Sequence, residues 1–319
     1  MPSFSIIIEW DNARFSELDR SRRMLQVLRR QINDLPPSRQ VAAVIVLYDR
    51  HSIDGTMLNK IVDEELRCDP CRSEVRVVPT DGLRYYEQKN FGAGLIPSDV
   101  KIFLDCDIVP EPGWLGAMVE SFDDPDVAVV AGQTYIEPND LLGKAFALFW
   151  FFKLRDPSSD LTRTHVFYAN NVAFRADILH RHPFPDLEAF RGQCWILSNT
   201  LRANGINVLA QNRARVAHPR PRGFWFFLAR ALNSGRDEVL ANGALDEGGR
   251  RPLRNVYWNY RNALTRSFRN FRDHAREIGL GPMGATIGYS IAVAYFSLKA
   301  IGELVTVARP NLIARLFPI

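Results

Sequence analysis

The feature that most constrains the fold is a series of short apolar segments, rich in β-branched residues, that alternate with helical ones. Residues 4–8, 41–47 and 102–104 each have the composition of a buried strand, residues 75–78 have that of a further strand, and the charged stretch 16–32 has helical periodicity. Strands that alternate with helices form a mostly parallel sheet whose faces are covered. The sequence therefore predicts an α/β fold.

The fourth apolar segment ends in two acids, Asp105 and Asp107, and Pro110 and Pro112 follow. Residues i and i+2 of a strand point to the same side, so we expect two carboxylates side by side at the strand end. Adjacent carboxylates repel each other unless a positive group lies between them. A divalent cation that also binds a diphosphate would supply that charge, and a pair of solvated acids is the alternative.

Polar side chains follow the other predicted strands too. Asp11 and Asn12 come after the first strand, and Asp49 comes after the second. In parallel sheets, ligands bind at the carboxyl ends of the strands. The sequence therefore predicts one ligand site at this edge of the sheet, with the Asp105 strand contributing to it.

The cysteines and the start of the chain indicate a cytosolic protein. Cys68 and Cys71 form a single C-x-x-C with no second pair at zinc-site spacing, and Cys106 and Cys194 lie far from them. We expect all four to be reduced thiols. The first strand begins almost at once, so we expect no signal peptide.

Several short motifs, in the order in which they occur, resemble family 2 glycosyltransferases. The pieces are Ser5-Ile6-Ile7-Ile8, Asp49 with Ser52-x-Asp54-Gly55-Thr56, Lys89-Asn90-x-Gly92, Leu104-Asp105-Cys106-Asp107, Asn171-x-Ala173-x-Arg175, Leu201-x-x-x-Gly205 and Ala214-x-Val216-x-His218. The resemblance implies a GT-A fold, with a Rossmann-like nucleotide-binding sheet in residues 1–220. Residues 221–319 would form a helical, basic and apolar extension.

The resemblance also implies an activity: inverting transfer of a sugar from a UDP- or GDP-linked donor to a carbohydrate or lipid-linked acceptor, in the biosynthesis of a glycan, polysaccharide or glycolipid. Mn²⁺ or Mg²⁺ would be held by Asp107 and His218, with Asp105. The implied nucleotide contacts are Ile8, Trp10, Asn12, Asp49, Lys89, Asn90, Asp105 and Cys106. The implied acceptor and donor-sugar region contains Asn170, Asn171, Arg191, Gln193 and Trp195.

One departure concerns the catalytic base. Members of the family usually carry a Glu-Asp pair where this chain has Gln193 and Cys194. Glu188 or Asp186 would then serve as the base, or Cys194 if its thiol is strongly perturbed. Two alternatives remain: a phosphate acceptor that needs no base, and a catalytically degenerate binding or scaffolding subunit.

The C-terminal region favours contact with a membrane surface or with a second copy of the chain. Residues 141–154 and 224–227 are strongly aromatic, and residues 250–276 contain many arginines against one acid, Asp273. The apolar stretch 284–296 is too short to predict a membrane span, so we expect an interfacial helix, an oligomer contact or an ordinary core helix. We therefore expect a cytoplasmic protein, peripheral at the inner face of the membrane, with no nucleic-acid partner.

An oxidoreductase with a Rossmann fold is the remaining alternative, and the sequence disfavours it. Such enzymes carry a glycine-rich fingerprint directly after the first strand. Here the first strand is followed by Glu9, Trp10, Asp11, Asn12 and Ala13, without a glycine.

Overall fold

The computed structural model describes residues 1–67, 73–150, 161–245 and 252–317. The chain divides into two compact units. Unit 1 comprises Met1–Thr134, Leu154–Asp186 and Leu197–His218, and unit 2 comprises Tyr135–Lys153, Leu187–Ile196 and Pro219–Ile319. Unit 2 thus takes two segments from the predicted 1–220 domain, as well as the C-terminal region. The C-x-x-C motif of Cys68 and Cys71 lies outside the described residues.

Unit 1 is built on a sheet that has nine strands within the described residues. They are β1 (Phe4–Glu9), β2 (Val41–Asp49), β3 (Glu74–Thr80), β4 (Val100–Asp105), β5 (Val109–Pro110), β6 (Val129–Ile136), β7 (Thr162–Thr164), β8 (Asn171–Arg175) and β9 (Val208–His218). The order is β3-β2-β1-β4-β8-β6-β9-β5, and β7 pairs with β9. The pairs among β3, β2, β1 and β4 are parallel, whereas β8 runs antiparallel to β4. The predicted α/β class and the parallel part of its sheet are confirmed.

The helices lie between and after these strands. They are α1 (Leu18–Asp34), α2 (Gly55–Val62), α3 (Tyr85–Gly94), α4 (Trp114–Glu120), α5 (Leu141–Phe149), α6 (Ala176–Arg181), α7 (Gln193–Ala203), α8 (Phe224–Leu245), α9 (Pro252–His274), α10 (Pro282–Ala308) and α11 (Leu312–Leu316). A 3-10 helix, Asp11–Phe15, follows β1 directly. In β1 and β4 every residue is buried, which explains their continuous apolar character.

The sequence predicts two short strands, residues 206–210 and 214–217, with the polar residues Gln211 and Asn212 between them. This prediction was wrong, because β9 is continuous from Val208 to His218. The Gln211 amide donates a hydrogen bond to Ser121 Oγ at 3.0 Å, and Asn212 Oδ1 accepts one from Gln133. Because both polar side chains are satisfied by neighbouring elements, they do not interrupt the strand.

Unit 2 has its own aromatic core, formed by α5 with the long C-terminal helices. Phe146, Phe149, Tyr295 and Phe296 make edge-to-face and tilted ring contacts in it. Among the described residues, α10 is the one helix long and apolar enough to cross a membrane, and a third of its most apolar stretch is buried. The apolar helix is therefore longer than the 284–296 stretch indicated.

The crossing of α8 and α10 depends on two glycines. A Cβ added at Gly302 would collide with the backbone carbonyl of Leu232, and one added at Gly235 would collide with that of Lys299. We expect Gly302→Ala to lower the free energy of unfolding by about 1–3 kcal/mol, because backbone atoms of a packed helix pair have little room to move. The measurement is urea unfolding followed by circular dichroism.

Gly243→Ala is the matched control. Gly243 lies in α8, as Gly235 does, but a Cβ there meets nothing within 4 Å. Since alanine favours a helix more than glycine does, this variant should be neutral or more stable by up to about 1 kcal/mol. Equal effects of the two substitutions would show that the crossing is not tight.

Candidate functional site

The carboxyl ends of β1 and β2 are joined by Asp11. Its carboxylate accepts the backbone N–H of Asp49 at 2.9 Å and the side-chain amide of Gln88 at 2.5 Å. Burial raises the pKa of Asp11, and these two hydrogen bonds oppose the rise. Asp11 therefore holds the backbone of Asp49 in place at the sheet edge.

Asp49 is the half-buried carboxylate that ends β2. It accepts hydrogen bonds from Ser52 Oγ at 2.8 Å and from the backbone N–H groups of Gly82 at 3.2 Å and His51 at 3.3 Å. Partial burial raises its pKa, but the three hydrogen bonds outweigh that effect and lower the pKa overall. An ionised, pre-positioned acceptor thus lies at this edge.

Asp105 ends β4 and is almost completely buried among donors. Its carboxylate accepts Lys89 Nζ at 2.7 Å, the Tyr85 hydroxyl at 2.8 Å and the Asn12 side-chain amide at 3.2 Å. Lys89 is itself fully buried, and its ammonium lies 4.5 Å from the centre of the Tyr85 ring. The positive group that balances Asp105 is therefore a lysine from α3.

This arrangement corrects two predictions. Asp105 and Asp107 do not share a strand face, because β4 ends at Asp105 and Asp107 lies in the following turn. Within the part of the chain that the structure describes, no three His, Cys, Asp or Glu side chains are grouped so as to hold a metal. The positive partner of Asp105 is Lys89 instead of a cation, so the proposal below rests on Asp107 and His218, and the full ligand set stays a prediction.

Asp107 and His218 are nevertheless brought to the same place by the backbone. In the antiparallel pair of β5 and β9, Val109 lies opposite Ala217. Arg20 reinforces this pairing, since its guanidinium donates to the backbone carbonyls of both Asp107 and Ala217. A carboxylate and an imidazole in neighbouring positions are donors that suit Mn²⁺, and phosphate oxygens commonly complete such a site. The pair fits a cation that is shared with a diphosphate.

Glu9 is a buried acid whose role the sequence did not indicate. Its Oε1 accepts the backbone N–H of Asn12 at 3.1 Å, and its carboxyl group is completely buried. Burial first, and then the charge of Asp105, raise the pKa of Glu9 well above its usual range. Its place at the end of a strand was the available signal, as for Asp49.

Three of the residues expected to contact a nucleotide are core residues. Ile8, Trp10 and Cys106 are at most 2% exposed and belong to the main apolar cluster of unit 1. The Cys106 thiol donates to the carbonyl of Trp10, and burial raises the pKa of that thiol well above its usual range. Their side chains serve packing, and the assignment of these three residues to a nucleotide site stays a prediction.

The asparagines of the motifs also make internal hydrogen bonds. Asn90 bonds both backbone groups of Phe184, and the buried Asn171 accepts from Trp114 Nε1 and donates to the carbonyl of Ala214. Asn90 and Asn171 therefore have structural roles, and their assignment as ligand contacts stays a prediction. Asn170 accepts from the Thr134 hydroxyl, and its assignment to the sugar region stays a prediction.

The candidate bases lie in different settings. Asp186, in unit 1, is strongly exposed and accepts a hydrogen bond from the Arg84 guanidinium. Glu188, in unit 2, is exposed, and Cys194 is half-buried at the start of α7. Gln193 is buried, and its amide donates to the carbonyls of Leu187 and Ala189. The Gln193 side chain, at a position where the family usually has an acid, is therefore hydrogen-bonded to the protein's own backbone.

Unit 2 contains a further acid that sequence reasoning missed. Asp237 is 2% exposed and accepts the backbone N–H of Arg191 at 3.0 Å. Burial raises its pKa to about 6, against the opposing charges of Arg236 and Arg191. Arg191, Trp195 and Asp237 line a cavity of about 370 Å³.

The fold is similar to that of glycosyltransferases with a GT-A fold. The mannosyltransferase PcManGT from Pyrobaculum calidifontis, in complex with GDP-Man and Mn²⁺, is 17% identical, with a TM-score of 0.59 over 95% of this chain and 87% of that chain. S. aureus TarS 1–349 with UDP-GlcNAc is 12% identical, with a TM-score of 0.50 over 97% and 92%. GalNAc-T7 with UDP, GalNAc and Mn²⁺ is 13% identical, with a TM-score of 0.52 over 70% and 44%.

The sequence itself supplies the family. Residues 24–182 match the sequence profile of glycosyl transferase family 2. This region therefore matches glycosyl transferase family 2, which confirms the resemblance of the motifs. Comparison with curated proteins gave no significant match.

Proposed function

We propose that this glycosyltransferase moves a sugar from a nucleoside-diphosphate sugar to a carbohydrate or lipid-linked acceptor, with inversion at the anomeric carbon and with the help of a divalent cation. The single observation that carries the proposal is the meeting of polar groups at one sheet edge: Asp49 at the end of β2 and Asp105 at the end of β4, with Asp107 and His218 joined by the β5–β9 pairing. Ligands of parallel sheets bind at this edge.

Each group at this edge has a role in the proposal. Asp49 would accept hydrogen bonds from the nucleobase, and its three donors keep it ionised and fixed. The ion pair of Lys89 and Asp105, in which the two charges balance, would line the position of the ribose. Asp107 and His218 would hold Mn²⁺ or Mg²⁺, which, when bound, neutralises the charge that develops on the leaving diphosphate.

The reaction itself needs one displacement. The acceptor oxygen forms a bond to the anomeric carbon while the bond from that carbon to the diphosphate oxygen breaks, and the diphosphate leaves with the electron pair. The proton of the acceptor hydroxyl passes to a carboxylate. We propose Asp186 or Glu188 as that base, with the Cys194 thiolate as the expected alternative and the missed carboxylate of Asp237 as a fourth candidate.

The proposed function is tested by turnover of UDP- and GDP-linked sugars in the presence of Mn²⁺, followed as release of the nucleoside diphosphate. The same assay, applied to variants, identifies the catalytic base. Asp186→Asn, Glu188→Gln, Cys194→Ser and Asp237→Asn are compared at constant folded fraction. We expect one of them to lower kcat by about 10²–10⁴-fold. Unchanged kcat in all four variants would exclude these bases and favour a phosphate acceptor, which needs none.

A second candidate function is a catalytically degenerate binding or scaffolding subunit. The observation that favours it is the structural use of Gln193, whose amide is committed to the carbonyls of Leu187 and Ala189. This candidate predicts nucleotide binding without sugar transfer or hydrolysis. Measurable turnover that depends on Asp107 would exclude it.

A further inference from the structure

Helix α9 carries an exposed face of unusual composition. Residues spaced by three or four along the helix bring four arginines and three aromatic side chains to one side: Arg254, Tyr257, Trp258, Arg261, Phe268, Arg269 and Arg272. We call these seven residues the basic–aromatic face. Tyr257 is 60% exposed and Phe268 is 54% exposed.

The opposite side of α9 explains why this face is left to solvent. Val256, Ala263, Ser267 and Phe271 are buried, so the helix is attached to unit 2 through that side. A helix with one buried stripe normally exposes charged and polar residues on the other. Large aromatic side chains are not needed there for folding, and their exposure indicates a surface for a partner.

The charge of the face is strongly positive. Within α9 the acid is Asp273, next to Arg272, and its carboxylate bonds the Arg272 guanidinium at 2.6 Å and 3.0 Å. The Arg261 guanidinium lies 4.9 Å from the centre of the Trp258 ring. Arginine beside tryptophan and tyrosine is the combination found where proteins meet the headgroup layer of a membrane.

The neighbouring helix α10 adds an apolar surface. Met283, Ile287, Ile301 and Leu304 are exposed along it, at helical spacing. Phe268 of the basic–aromatic face contacts the ring of Tyr289 in α10, with the ring centroids 5.7 Å apart. Unit 2 therefore presents basic, aromatic and apolar side chains on adjoining helices.

We propose that the basic–aromatic face of α9 docks unit 2 on an anionic lipid bilayer. The arginines would bind lipid phosphates, and the aromatic rings would enter the headgroup layer. Charge complementarity selects an anionic bilayer as the occupant, because a neutral surface would leave the arginines unbalanced and a purely apolar partner would bury them. This proposal does not depend on the sugar, the nucleotide or the metal.

Sedimentation with vesicles tests the docking, using the full chain without nucleotide. The probes are vesicles of phosphatidylcholine alone and of phosphatidylcholine with phosphatidylglycerol. We expect the wild-type chain to bind the anionic vesicles at least about tenfold more tightly, and to lose this preference at high salt. The triple variant Arg254→Glu, Arg261→Glu and Arg269→Glu should lose about tenfold or more in affinity for them.

A charge-matched control separates the face from net charge. Arg76, Arg181 and Arg202 are exposed residues of unit 1, and their triple change to Glu alters the net charge equally. We expect less than about a twofold loss for this control, and a selective loss for Trp258→Ser with Phe268→Ser. Equal losses in both triple variants, or equal binding to both kinds of vesicle, would overturn the proposal. It would also be overturned if the basic–aromatic face instead bound a second copy of the chain or nucleic acid.

Discussion

Lys89→Met is expected to lower the free energy of unfolding by about 3–5 kcal/mol, one of the two largest effects that the structure implies. Lys89 is fully buried, and its ammonium lies 2.7 Å from Asp105 Oδ1. Removing it leaves a buried carboxylate whose remaining donors, Tyr85 and Asn12, are neutral. Urea unfolding followed by tryptophan fluorescence and circular dichroism measures the loss.

Lys60→Met is the matched control for this substitution. Lys60 lies in α2 with its side chain 76% exposed, and its nearest acid, Glu64, is 3.9 Å away. We expect a change within about 0.5 kcal/mol. Adding Asp105→Asn to Lys89→Met should recover part of the stability, because the unpaired charge is removed. A loss for Lys89→Met no greater than for Lys60→Met would contradict the role of the pair.

Asp107→Asn is expected to abolish the stabilisation by a nucleoside diphosphate that depends on Mn²⁺. With free ligand at 100 times its Kd, the wild-type chain should gain about 2.7 kcal/mol over the ligand-free state. The variant should lose most of this gain, because an amide oxygen is a much weaker ligand for a hard cation than a carboxylate. Thermal unfolding with UDP or GDP, in Mn²⁺ and in EDTA, measures the difference.

Two further variants make this result specific. His218→Ala should reduce the Mn²⁺-dependent gain in the same direction, since His218 is the second proposed ligand. Asp126→Asn removes an equal charge from an exposed position of unit 1 and should keep the full gain. A gain that survives in Asp107→Asn, or that is equal in EDTA, would exclude the proposed cation site.

Strands β1, β2 and β4 of the parallel part of the sheet could be predicted because each is a continuous apolar run that ends in a polar residue. Both faces of β1 and β4 are buried, so no alternation complicates the pattern. The same runs correctly indicated where Asp49 and Asp105 lie. The antiparallel strands were harder to predict from the sequence, because polar residues interrupt the apolar pattern of β9. Gln211 and Asn212 are such residues, and both are hydrogen-bonded to neighbouring elements.

The partners of the site residues were not predictable, because they depend on tertiary contacts. Lys89 lies on a helix and is 16 residues from Asp105, a separation to which no local rule applies. Without that contact, the paired acids in the sequence predicted a cation as the balancing charge. Asp237 is 46 residues from Arg191 and has no motif around it, so its approach to the Gln193 segment appears only in three dimensions.

The most direct test of the central claim is anomalous diffraction from crystals soaked with Mn²⁺ and a nucleoside diphosphate. We expect one manganese peak, in contact with the Asp107 carboxylate, the His218 imidazole and oxygens of the diphosphate, and with the nucleobase at Asp49. A nucleotide bound at this sheet edge without manganese at Asp107 and His218, or manganese and nucleotide at a different place, would contradict the claim.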